Sequence, residues 1–253
     1  MTRKKKITIA VVIAAVLLAG YLVIGVLLPR IFVAVTVNKL LDIGESASPF
    51  THYDVTAENT MEISNGKMAI SIPQGYIEKD MGDLGCQLYT ADQTQKFTII
   101  LMDPSDNSYM NLLSEDNLDT LDVKVRIGRK QMERGFEKLG NGCPDSGYNA
   151  YKCIYMLEED DYSFWDLEKG VAFAVTGVLK QITPSWGTVY MYDNGDVCGF
   201  VHINEFSAPE EAKYRGTLEL YSKSDLNNVS TIMIMANTAE EIYAVANSAR
   251  PAA

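Results

Sequence analysis

Met61-Glu62-Ile63-Ser64-Asn65-Gly66-Lys67-Met68-Ala69-Ile70-Ser71-Ile72-Pro73 alternates apolar and polar residues on either side of Asn-Gly. Asn-Gly is the pair that best tolerates positive φ at both central positions of a type I′ turn, so this stretch predicts a β-hairpin. Counting outward from that turn pairs Ile63 with Met68 and Met61 with Ile70 on one face, leaving Glu62, Ser64, Lys67 and Ser71 on the other. Strands of this kind have one buried and one wet face, as in antiparallel sheets.

Toward the C-terminus, Pro73-Gln74-Gly75 ends the second strand, and strands are expected at Gln87 to Thr90 and Lys96 to Met102, around the polar turn Asp92-Gln93-Thr94. Leu118, Leu121, Val125, Met132, Phe136 and Leu139 recur mainly at three- and four-residue steps, which predicts a helix over roughly 119–139 with Gly128 weakening its middle. A strand is expected from Tyr148 to Leu157, with Tyr151, Cys153, Tyr155 and Leu157 facing inward. Glu158 to Asp161 follows as an acidic turn. A second helix is predicted from Ser163, its cap, to Ile182, and Thr183-Pro184-Ser185 ends it. The Trp186 to Ile203 hairpin turns at Asn194-Gly195 and is apolar on both faces, so structure should cover each side. Strands Gly216 to Tyr221 and Ser230 to Met235 and a helix from about Thr238 to Ala249 complete the set. The order of elements defines an α+β fold, an antiparallel sheet with flanking helices.

Toward the N-terminus, Gly44 to Thr51 reads as a linker, and apolar residues from Ile31 to Leu41 read as a helix. Before them runs Ile7 to Pro29, 23 residues with no charged side chain. As a helix it would reach about 33 Å, enough to cross a hydrocarbon core of about 30 Å. Arg3, Lys4, Lys5 and Lys6 precede it, an asymmetry that keeps the N-terminus cytoplasmic. The run is longer than the apolar core of a cleaved signal peptide. Leu18-Ala19-Gly20 begins like a lipobox, but Tyr21 stands where the lipidated cysteine would be. The expected organisation is a basic tail at 1–6, a transmembrane helix at 7–29, a juxtamembrane helix and linker at 30–54 and an extracytoplasmic α+β domain at 55–253. The chain would be a single-pass protein of the cell membrane.

All five basic residues of the first 30 belong to the anchor, leaving 17 of the 22 Lys and Arg against all 33 Asp and Glu outside, a formal −16. Such a domain repels nucleic acid and anionic headgroups. Cys86, Cys143, Cys153 and Cys198 allow three complete disulfide pairings, with Cys143 and Cys153 placed to close a short loop and buried thiols equally compatible.

The sequence nominates no catalytic, cofactor-binding or metal-binding residue. His52 falls in the linker, and His202 falls on a hairpin face with Val189, Met191 and Phe200, where a buried, hydrogen-bonded core histidine is expected. No G-x-S-x-G, P-loop, dinucleotide or H-E-x-x-H spacing occurs. Asp103-Pro104-Ser105-Asp106-Asn107 and Asp193-Asn194-Gly195-Asp196 have calcium-like oxygens but no EF-hand spacing, and turn chemistry explains both. Asn228-Val229-Ser230 matches a glycosylation sequon. Tyr148, Tyr151, Tyr155, Tyr162, Trp165, Trp186, Tyr190 and Tyr192 concentrate aromatics that suit core packing or a groove for sugar or peptide.

Ala69-Ile70-Ser71-Ile72-Pro73-Gln74-Gly75-Tyr76, the strand pair after it, the mid-chain helix and a closing Ala239-Glu240-Glu241-Ile242 helix ending near Asn247-Ser248 resemble the PsbP-like fold of accessory proteins over roughly residues 60–250. The resemblance implies a sheet flanked by helices and a non-enzymatic accessory or binding role. The expected function is a membrane-anchored extracytoplasmic binding or accessory module, with no cofactor and with a protein, peptide or glycan ligand. The rival expectation is a cell-surface hydrolase with paired carboxylates.

Overall fold

A computed structural model describes residues 17–18, 20–40, 43–91, 97–115, 128–183, 187–206 and 212–252. The chain divides into two compact units: one of residues 1–44, 115–142 and 157–182, the other of residues 45–114, 143–156 and 183–253. The second unit thus takes in residues from 45 onward, and 115–142 and 157–182 cluster with the N-terminal segment.

The larger unit holds two sheets. Strands β1 (Ser48–Pro49), β4 (Ile77–Lys79), β5 (Cys86–Thr90), β6 (Thr98–Met102), β7 (Ser105–Asp106), β8 (Thr188–Asp193), β9 (Val197–Glu205), β10 (Tyr214–Ser222) and β11 (Asp225–Ala236) form one, in the order β1-β8-β9-β10-β11-β6-β5-β4, with β7 also on β11. The other is β2 (Thr60–Ser64), β3 (Met68–Pro73) and β12 (Arg250–Pro251), with β3 in the middle. The large sheet is mixed rather than wholly antiparallel, because β1 runs parallel to β8. The residues expected to form a linker supply that strand, and Phe50 beside it is 3% exposed with its ring against Tyr190, Tyr192 and Tyr243.

The first hairpin forms with its register two residues from expectation. Ile63 pairs with Ile70 and Ser64 with Ala69, because the turn centres on Gly66-Lys67 rather than Asn65-Gly66. Gly66 takes φ +84°, while Asn65 directly follows the strand and its Oδ1 accepts the Lys67 and Met68 amides at 3.1 and 2.9 Å. A slip of two keeps every side chain on its face. Ile63, Met68, Ile70 and Ile72 accordingly enter one core with Tyr192, Val197, Val201, Leu218, Ile232 and Ile242.

Residues 148–157 do not form a strand. Helix α3 (Gly147–Tyr155) occupies them, started by Ser146, whose hydroxyl accepts the Asn149 amide at 3.3 Å. The alternation of Tyr151, Cys153 and Tyr155 is real, but Ala150, Cys153 and Ile154 recur at helical spacing and are the residues most fully buried. The helix covers the β9 face that carries Phe200 and His202, with Tyr155 4.8 Å and 5.2 Å from their rings. Both faces of the β8–β9 hairpin are thus covered. The closing helix α5 (Ala239–Asn247) is capped by Thr238, which accepts the Glu241 amide.

The smaller unit is helical. Its N-terminal segment has one π-helical stretch, Leu22–Leu27, running into α1 (Leu28–Leu40). The remaining helices are α2 (Arg129–Leu139) and α4 (Leu167–Ile182). Gly128 is not mid-helix as expected; it caps α2, its amide donating to Gln131 Oε1 at 2.7 Å, and residues 116–127 lie outside the described residues. Ser163 does not cap α4 directly. It accepts the Asp166 amide, and Asp166 in turn accepts the Lys169 amide, so the helix begins at Leu167. Gly135 lets α2 approach α4 closely: a Cβ there would stand 2.5 Å from Glu168 O and 3.0 Å from Ala172 Cβ.

Among the described residues no helix is long and apolar enough to cross a membrane. The first ten residues of the Ile7 to Pro29 run, and Ala19, lie outside them.

Candidate functional site

The helical unit carries a groove of about 750 Å³ lined by Ile24, Pro29, Arg30, Lys138, Trp165 and Glu168 among others. Its wall is built by Arg30. The guanidinium donates through Nη1 to Val26 O at 2.7 Å, within its own helix. Through Nε and Nη2 it donates to Trp165 O at 3.4 and 3.3 Å, tying the turn before α4 to the N-terminal helix. Trp165 leaves 76% of its surface exposed, with its ring edge-on to Phe164 at 5.0 Å.

The groove's acids are neutralised. Lys138 Nζ stands 2.8 Å from Asp166 Oδ2 and 2.9 Å from Glu168 Oε2, and Arg134 also donates to Glu168. The Arg134 and then the Lys138 hydrogen bonds push the Glu168 carboxyl down to about 2, and Lys138 holds Asp166 below its ordinary value. A general acid for glycoside hydrolysis needs a carboxyl that keeps its proton near neutrality. Asp166 and Glu168 are instead held ionised by Lys138 and Arg134, ion pairs that join α2 to the start of α4.

In the larger unit His202 is 2% exposed, as expected. Its expected hydrogen bond is not formed: Nδ1 and Nε2 have no hydrogen-bond partner among the described residues, and Glu219 Oε2 lies 3.5 Å from Nε2 outside hydrogen-bond geometry. Tyr151, Tyr155 and Tyr221 surround the same interior, their hydroxyls held well above the ordinary phenol range by burial first and by Glu219. Because α3 closes over it, the cluster is packed interior. His52 lies instead flat on Tyr243, with centroids 4.2 Å apart.

A smaller pocket of about 200 Å³ is lined by Thr56, Thr60, Ser71, Ala244, Asn247 and Ser248. Asn247 Nδ2 donates to His52 O and Val55 O, and Ser248 Oγ accepts the Ser71 amide. Asn247 Oδ1 is buried and lacks a hydrogen-bond partner among the described residues. The pocket falls below the roughly 300 Å³ at which small-molecule sites begin.

The acidic turns close on themselves. Asp106 accepts the Ser108 amide, Asn107 Nδ2 donates to Tyr221, and Asp193 accepts the Gly195 amide and pairs with Lys223 at 2.7 Å. Among the described residues no cluster of His, Cys, Asp and Glu is arranged to hold a metal ion. Ser230 of the sequon is 1% exposed and accepts Asn65 Nδ2, and Asn228 donates to Asp225, so that tripeptide is part of the sheet. All four cysteines are thiols. Of the aromatic concentration, Tyr148 and Tyr155 of α3 pack on Phe200, Tyr190 and Tyr192 ring Phe50, and Trp165 alone is largely exposed; Trp186 lies outside the described residues. Sequence reasoning missed the Arg30–Trp165 link. The legible signals were that Arg30 is the first charge after the apolar run and that Trp165 sits in a polar turn.

No family model and no curated protein matches this chain. Among solved structures, a protein from Bacteroides thetaiotaomicron aligns with a TM-score of 0.33 and 8% identity, over 77% of this chain and 48% of its own. The chain thus spans about half the length of that protein.

Proposed function

We propose that the protein is a single-pass, membrane-anchored extracytoplasmic binding or accessory module, its N-terminus in the cytoplasm and its sheet unit outside. The observation that carries the reading is the surface of the N-terminal helix. Leu17, Leu18, Tyr21, Ile24, Leu28 and Phe32 each leave half or more of their surface uncovered. A helix with an apolar surface left uncovered to this extent is unstable in water and suited to lipid. All of these but Phe32 belong to the charge-free run that begins at Ile7. The PsbP-like resemblance and the neutralised groove carboxylates support an accessory role over a hydrolytic one, with a protein, peptide or glycan as the ligand at the surface. The formal −16 outside the anchor argues against nucleic acid.

Alkaline carbonate extraction of membranes, followed by protease added to intact spheroplasts, tests the reading. The chain should stay in the membrane pellet and lose its C-terminal part to external protease. Release by carbonate, or full protection from protease, would overturn it.

A further inference from the structure

We propose that Trp165, held by Arg30, is the point at which the helical unit rests on the outer surface of the lipid bilayer, its indole in the headgroup layer. The inference deepens the anchoring reading and rests on it. The charge-free run ends at Pro29, so Arg30 is the first side chain that must remain hydrated on the outer side. Its guanidinium turns back to Val26 O within the helix and reaches out to Trp165 O. The Trp165 backbone is therefore tied within one hydrogen bond of the chain's first outer charge.

The side chain at that level has the chemistry of the interface. An indole combines a large apolar ring with one N–H donor, and Trp is enriched where bilayer meets water. Trp165 is the most exposed large hydrophobic residue among those described, 76% uncovered, and Phe164 packs edge-on beside it. Such exposure wastes burial in a water-facing turn, whereas a headgroup layer covers the ring. Trp165 lines the groove together with the apolar Ile24, Gly25 and Pro29, and Lys138, Asp166 and Glu168 supply its charged rim. Its lining therefore combines apolar and charged side chains beside Arg30. The occupant is the zwitterionic phospholipid surface itself, since the cations along the rim are already paired with Asp166 and Glu168.

The chain has two tryptophans, so Trp186→Phe leaves Trp165 as the sole indole. The full-length variant is placed in phosphatidylcholine vesicles, and its emission is read with lipids brominated at shallow or deep acyl positions and with aqueous acrylamide. Trp165→Phe in the otherwise unchanged chain gives the same signal by difference, should the first variant fold poorly. A blue-shifted emission, quenched more by shallow than by deep bromines and protected from acrylamide, is the expected result. A chain that floats with the vesicles while Trp165 emits as in water and is fully open to acrylamide overturns this inference and leaves the anchor standing. Failure to float overturns both.

Discussion

His202 Nε2 stands 3.5 Å from Glu219 Oε2 in an interior closed by α3, yet neither ring nitrogen has a hydrogen-bond partner among the described residues. The imidazole therefore contributes mainly through shape, filling space against Tyr155. His202→Ala is expected to lower stability by about 1–3 kcal/mol through the cavity it leaves. His202→Leu, which refills the space and removes two desolvated nitrogens, should cost less than the alanine change. Thermal melts of the full-length variants in detergent decide it. A leucine variant as unstable as the alanine one would mean that the ring nitrogens matter.

Asn194 repeats in the second hairpin what Asn65 does in the first. Its Oδ1 accepts the Asp196 and Val197 amides at 3.2 and 2.9 Å, Gly195 takes φ +102°, and its Nδ2 donates to Ala249 O. Asn194→Asp keeps the turn acceptor and loses the donor to Ala249, whereas Asn194→Ala loses both. Alanine should cost about 1–2 kcal/mol and aspartate about half that. Equal losses in the melting curves would show that the turn bonds contribute nothing separable.

The hairpins were legible because Asn-Gly and strict alternation are local signals, and the faces survived a two-residue error in register because the side-chain period is two. The strand assigned to 148–157 failed for a physical reason. Tyr151, Cys153 and Tyr155 satisfy period two while Ala150, Cys153 and Ile154 satisfy the helical period, and the Ser146 cap that decides between them is one residue in a turn. The linker assignment failed because Ser48–Pro49 and Phe50 gain their order from β8 and from Tyr190 and Tyr192, which are distant in sequence. The groove was illegible for the same reason, since Arg30 and Trp165 are separated by 135 residues.

Burial pushes the Cys153 thiol up to about 12 and the Cys198 thiol up to about 11, whereas Cys143 is exposed. Alkylation proceeds through the thiolate and needs access. Mass spectrometry after brief iodoacetamide treatment of the native chain should find Cys143 modified first and Cys153 and Cys198 only after denaturation. Early modification of either buried thiol would contradict the packing of α3 on β9.

Glu168 has a folded carboxyl value of about 2, below its ordinary 4.5, because of Arg134 and then Lys138. A depressed carboxyl stabilises the fold above its unfolded value, and that contribution disappears as pH falls through the folded one. The stability difference between the native chain and Glu168→Gln should therefore be present at neutral pH and shrink as pH falls from 4.5 toward about 2. These side chains are partly hydrated, so the difference should be small and weakened by salt. Melting both proteins across that range checks it, and a difference that grows on acidification would refute the assignment of the ion pairs.

Gly135 is where α2 and α4 meet most closely. Replacing glycine by alanine in a helix interior ordinarily gains about 1 kcal/mol from backbone entropy. Here the new methyl would lie 2.5 Å from the Glu168 carbonyl oxygen, a backbone atom in the first turn of α4 that cannot swing aside as a side chain can. Overpacking of this kind costs about 1–3 kcal/mol. The relief available is to move α2 outward, which also lengthens the Arg134 and Lys138 contacts with Glu168 and exposes Met132 and Phe136, now fully buried. The clash therefore outweighs the propensity gain, and Gly135→Ala should melt below the native chain. Gly20→Ala serves as the reference, since a Cβ at Gly20 meets nothing within 4 Å and should leave the midpoint unchanged or raised. A Gly135→Ala chain as stable as the native one would mean that α2 and α4 do not approach this closely.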